Sequence, residues 1–147
     1  MPAYPAALAE IVEEFRAISD RGERAEMLIH YADRFEEVPE TIAARPFPEE
    51  HRVPACESEA YVWAEPLPDG TLRFHFAVEN PQGLSAMALA SILAETLSGA
   101  PLEEVAALDT DIVFTLFGKD LSMGKGQGLI GIIDLVRHFA AAHQAAG

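Results

Sequence analysis

Cys56 is the sole cysteine of the chain. It lies between Arg52-Val53-Pro54-Ala55 and Glu57-Ser58, shortly before Tyr61-Val62-Trp63. One sulfur cannot close an internal disulfide, form a Cys-x-x-Cys redox pair or build a multi-thiolate metal cage, so its chemistry must involve a sulfur from elsewhere. A lone cysteine is often only a small buried hydrophobe, but a proline before it and Glu-Ser after it describe a tight surface connection between strands. Glu57 and Glu59 oppose thiolate formation, and His51 and Arg52 offset them only in part. Such a thiol reacts when a docked partner supplies positive charge and excludes water. Ser58 can hydrogen-bond the sulfur or simply shape the turn. Tyr61 and Trp63 can cover it or serve as sheet packing.

Other chemistry-bearing residues have plainer readings. Lys119 and Lys125, the only two lysines, fall in Gly118-Lys119-Asp120-Leu121-Ser122-Met123-Gly124-Lys125-Gly126-Gln127-Gly128. This is not a phosphate-binding P-loop: Gly118 and Gly124 are one residue too far apart and Gly126 follows the lysine where Ser or Thr is needed. Two lysines at a helix start can still attract an anion or a partner's carboxylate. His138 and His143 are about 140° apart on a helix, so they cannot share a metal as an i, i+4 pair would. His30 and His75 read as surface or internally satisfied histidines. Glu36-Glu37, Glu49-Glu50 and Glu103-Glu104 read as solvated charge that can steer docking.

The elements that must position the thiol follow from periodicity. Leu8, Ile11, Val12, Phe15 and Ile18 mark one face of a first helix. Asp20 with Glu23 forms a capping-box pattern ahead of a second stripe of Met27, Leu28, Tyr31 and Phe35, giving a helical hairpin. Residues 44–51, with Arg45-Pro46-Phe47-Pro48, read as a linker. The period then becomes two: Tyr61 to Trp63, a Pro68-Asp69-Gly70 turn, and Leu72 to Val78. With Arg52-Val53 these predict a three-stranded antiparallel meander whose first connection carries Cys56. Leu84, Met87, Leu89, Ile92, Leu93 and Leu97 predict a deeply buried helix ended by Gly99. Pro101 starts a short helix, Asp109 or Thr110 can cap a piece from Ile112 to Phe117, and a glycine-rich loop from Gly118 to Gly128 leads into a last helix. That helix turns Leu129, Ile132, Ile133, Val136 and Phe139 inward. The expected fold is α+β, a three-stranded antiparallel sheet flanked by an N-terminal helical hairpin and C-terminal helices, as one domain over residues 1–147.

Composition bounds the partners. With 10 Lys plus Arg against 24 Asp plus Glu, the net charge is −14, which repels nucleic-acid backbones and anionic lipid. No apolar run approaches the roughly 20 residues of a membrane span, and Met1-Pro2-Ala3-Tyr4-Pro5 lacks a basic signal region, so a cytoplasmic location with a reduced thiol is expected.

Val53-Pro54-Ala55-Cys56-Glu57-Ser58 with Val62-Trp63, the helix from Leu84 to Leu97, and Gly124-Lys125-Gly126-Gln127-Gly128-Leu129 at the final helix together resemble the SufE family, in order and over nearly the whole chain. That resemblance implies a sulfur acceptor of iron–sulfur cluster assembly. By that resemblance Cys56 is expected to take persulfide sulfur from a pyridoxal-phosphate cysteine desulfurase, stimulating that enzyme, and to pass it to a cluster scaffold. Glu57, Ser58, Trp63 and Lys125 are the implied binding residues, and the chain carries no cofactor or metal of its own. Ala55 stands where many members have glycine, Ser58 and Trp63 are spaced two residues wider, and Gly124-Lys125 replaces Ser-Arg, which exchanges a forked guanidinium for a point charge. Two alternatives remain open from the residues alone. One is a cysteine-nucleophile hydrolase with His51 or His75 as base; the other is an acidic interaction module whose cysteine is inert.

Overall fold

A computed structural model describes residues 4–54 and 56–147. Helices α1 (Ala6–Arg16) and α2 (Arg21–Asp33) form the expected hairpin. The Asp20 carboxylate accepts the Glu23 N–H at 2.9 Å, half of a capping box. Arg24 closes this corner. Its guanidinium donates to the carbonyls of Thr115, Leu116, Phe15 and Ile18, so one side chain serves carbonyls at the C-terminal ends of two different helices.

The sheet joins β1 (Ala60–Pro66) to β2 (Leu72–Val78), antiparallel, in register from Ala60 opposite Val78 to Pro66 opposite Leu72. At its tip the Asp69 carboxylate accepts from the Thr71 hydroxyl and N–H, and Gly70 adopts φ +89°. Among the described residues the sheet has two strands, not the expected three. Arg52 makes a single antiparallel bridge to Tyr61, and the Val53 N–H donates to Ala60 C=O at 2.9 Å. Pairing ends there, where the chain turns at Pro54.

Alternation along the strands separates two apolar clusters. Ala60 and Val62 on β1, with Leu72, Phe74, Phe76 and Val78 on β2, face the main core with the helices. Tyr61, Trp63 and Ala77 face the other way, where Val38, Ile42, Ala43 and Phe47 cover them. The linker is thus a lid on the outer sheet face. Arg45 holds it by bonding both Glu37 and Glu79 while lying 4.9 Å over the Phe47 ring.

Helix α3 (Leu84–Leu97) is the central helix, with Leu89, Ile92, Leu93 and Leu97 fully buried. Leu84 departs from the expected burial, being 52% exposed, because it is the first residue of the helix and lies at its surface end. Short helices α4 (Leu102–Ala106) and α5 (Ile112–Phe117) precede α6 (Met123–Ala146). The glycine-rich stretch is only partly a loop. Ser122 caps α6, its hydroxyl accepting the Lys125 N–H at 3.3 Å, so Gly124, Gly126 and Gly128 lie inside the helix. Glycine there costs about 1 kcal/mol each relative to alanine, and the packing described below explains one of the three, Gly128.

Candidate functional site

Cys56 opens a turn whose ends are held by the sheet. The Glu59 N–H donates to Cys56 C=O at 3.0 Å. Asn80 N–H donates to Ser58 C=O and Glu79 N–H to Glu59 C=O, both at 3.1 Å, and Val53 N–H to Ala60 C=O fastens the other side. Closing the turn puts Glu59 at φ +52°, a left-handed conformation disfavoured for a residue with a Cβ. Ala55, where a glycine was the expected family residue, lies outside the described residues.

The turn presses against glycines. A Cβ on Gly128 would lie 3.3 Å from the Cys56 Sγ and 3.4 Å from its Cα, and one on Gly124 would lie 3.6 Å from a Glu57 carboxylate oxygen. A Cβ on Gly83 would stand 2.9 Å from the Ser58 side chain, and one on Gly131 would stand 2.8 Å from Val53. At Gly83, Gly128 and Gly131 helix α6 and the start of α3 therefore approach the turn and the chain leading into it more closely than a Cβ comfortably allows, while the Gly124 distance is an ordinary contact. Cys56 is left 8% exposed, at the wall of an open cavity of about 310 Å3.

Glu57 and Ser58 line that cavity from the turn, Lys125 from α6, and Gly83 to Ala86 from α3. Two helices thus begin at it. Neither has an acidic residue in its first turn, and α3 has no side-chain cap. Their unsatisfied N–H groups and Lys125 give the cavity a positive bias, against the single carboxylate of Glu57.

Four of the five expected site residues therefore meet: Cys56, Glu57, Ser58 and Lys125. Trp63 does not line the cavity. It faces the outer cluster, with Phe47 at 5.0 Å and Tyr61 at 6.0 Å between ring centroids. Odd positions of β1 point away from the main core to which Cys56 belongs. Lys119 lies apart from Lys125, beside Arg21 and Arg24. Neither candidate base faces the sulfur cavity. His51 donates from Nδ1 to Val62 C=O at 2.9 Å and stacks on Trp63, and His75 Nε2 is 2.9 Å from the Glu65 carboxylate. The hydrolase reading thus lacks its base. Among the described residues no three His, Cys, Asp or Glu side chains converge as a metal site, and no helix is long and apolar enough to cross a membrane.

Sequence reasoning missed the opposite wall, Gln82 to Ala86. The available signal was Gly83 directly before the apolar period of α3, since a glycine at a helix start can mark a close approach as well as a cap.

No curated protein matches the chain. A solution structure of a hypothetical protein from Thermus thermophilus shares the fold, with a TM-score of 0.77 at 21% identity, over 97% of this chain and 99% of that one. Residues 9–140 match the SufE domain, described as an Fe-S metabolism associated domain. With that match spanning most of its length, the chain belongs to the SufE family.

Proposed function

We propose that this protein is a sulfur carrier: Cys56 takes persulfide sulfur from a pyridoxal-phosphate cysteine desulfurase and delivers it to an iron–sulfur cluster scaffold. The observation that carries the reading is the position of the only thiol, 8% exposed at the wall of a cavity shared with Glu57, Ser58 and Lys125, in a chain of the SufE family. The Cys56 thiolate attacks the terminal sulfur of the donor's Cys-S-SH. The donor S–S bond breaks, its cysteine leaves as thiolate and takes up the proton that Cys56 released, and Cys56-S-SH forms. Sulfur changes carrier with no net oxidation or reduction. A second exchange of the same kind, with a scaffold thiolate, regenerates Cys56.

Lys125 and the starts of α3 and α6 stand on the cavity wall past which the donor's persulfide approaches, and the sheltered position slows loss of the persulfide to small thiols. In this reading residues 1–147 act as one domain, the cofactor belongs to the donor, and the carrier stimulates the donor by unloading it. Trp63 contributes by bracing the sheet edge next to the turn, not by touching sulfur.

The test is intact mass without reductant after incubation with a cysteine desulfurase and cysteine. Wild type gains the mass of one sulfur atom and Cys56→Ser gains none. An unchanged wild-type mass, or an equal gain on the serine variant, refutes the proposal.

A further inference from the structure

Large apolar side chains are almost all inside this protein. Among the described residues only Ile29, Leu84 and Met123 are large, hydrophobic and exposed. Single exposed apolar residues need no explanation, but clustered ones mark interaction surfaces. Ile29 lies on α2, away from the sulfur. Leu84 and Met123 are the first residues of α3 and α6, the two helices that begin at the Cys56 cavity. Leu84 lines the cavity, and Met123, 80% exposed, directly precedes Gly124, which also lines it. The first position of a helix makes no demand for a large apolar side chain, so local structure does not account for either residue.

Lys125, in the first turn of α6, is exposed and also lines the cavity. Glu57 and Glu59 are exposed on the turn, and no ion pair among the described residues engages either. With a net charge of −14 on the chain, the complementary surface is basic around an apolar centre.

We infer that Leu84 and Met123 are the apolar anchors on which the sulfur donor docks. The donor's element is a protruding loop that carries its persulfide beside an apolar side chain, with Lys or Arg residues set to meet Glu57 and Glu59. This deepens the carrier reading and rests on it. A sulfur with 8% exposure at the wall of a cavity is reached by a narrow loop and not by a flat surface. Apolar anchors at the centre of a small interface, inside a charged rim, carry most of the binding energy in such arrangements.

The experiment measures sulfur loading of Cys56 by intact mass against carrier concentration, with a purified cysteine desulfurase from the same organism. The variants are Leu84→Gln with Met123→Gln together, and Ile29→Gln as the distant control. Glutamine is neutral, so the field at the sulfur is unchanged, and both sites are exposed, so folding is preserved. The double variant is expected to need about tenfold or more carrier for half-maximal loading, while Ile29→Gln behaves as wild type. Loading of all three by glutathione persulfide is expected to proceed at equal rates. Wild-type half-saturation in the double variant overturns the inference and leaves the carrier reading standing. A fall in loading by glutathione persulfide also overturns it, since the effect then lies in the thiol and not in docking. No loading of wild type takes down the carrier reading and this inference together.

Discussion

The outer face of the β1–β2 hairpin and the turn that leads into it are built from opposite materials. On the outer face, Tyr61, Trp63, Phe47 and His51 meet ring to ring at centroid distances of 5.0–6.0 Å, under a linker held by Arg45. At the sheet edge that leads to the sulfur, contact is made by absence of side chain: Gly83, Gly128 and Gly131 let helix backbone approach the turn and its entry. Large interdigitated side chains give stability, and glycine contacts give position at a cost in stability. The difference teaches that the hairpin is anchored by side chains on its faces so that the connection leading into it can be thin, close-fitting and strained.

This division breaks if the outer face and the turn cannot be perturbed separately. The largest effect is expected from Trp63→Ala on the outer face, a loss of about 3–5 kcal/mol in chemical denaturation. Sulfur loading per folded molecule should stay near wild type, and a loss of loading in fully folded protein would mean that Trp63 acts at the sulfur after all. Gly128→Leu should show the reverse. Its Cβ would begin 3.3 Å from Sγ, and overpacking costs about 1–3 kcal/mol. The turn must move away, so alkylation of Cys56 by iodoacetamide should accelerate well beyond what the stability change explains. Equal alkylation rates would show that the glycine contact does not hold the thiol. The smallest effect sharpens the point about strain: Glu59→Gly removes the left-handed penalty and should stabilise by up to about 1 kcal/mol, partly offset by the flexibility of glycine in the unfolded chain. A destabilised Glu59→Gly would assign that side chain a holding contact.

Much of this arrangement was legible from periodicity and punctuation. The stripes of α1, α2 and α6, the Asp20 cap and the Pro68-Asp69-Gly70 turn each state their structure locally, and a single thiol in a turn drew attention without any fold. What could not be read depended on partners distant in sequence. Val53 resembles the start of a strand, but the chain turns at Pro54, and whether one bridge grows into a ladder depends on where the following turn leads the chain. Alternation placed Tyr61 and Trp63 on the same side of β1 as one another, yet nothing local said that this side was away from Cys56. Gly124 to Gly128 looked like loop because glycine disfavours helix, and the reason for tolerating it is a contact with a turn far earlier in the chain. Arg24, bonded to carbonyls of two helix ends, carries no sequence signal, since its acceptors are main chain.

Gly128 has one more consequence. The surface it offers to Cys56 is peptide backbone, which has no rotamers to choose among and does not change when neighbouring residues drift. Substitutions elsewhere on α6 can restyle its exposed face freely, but at this point the berth for one sulfur is cut into the helix itself, and evolution can alter its depth only by filling it.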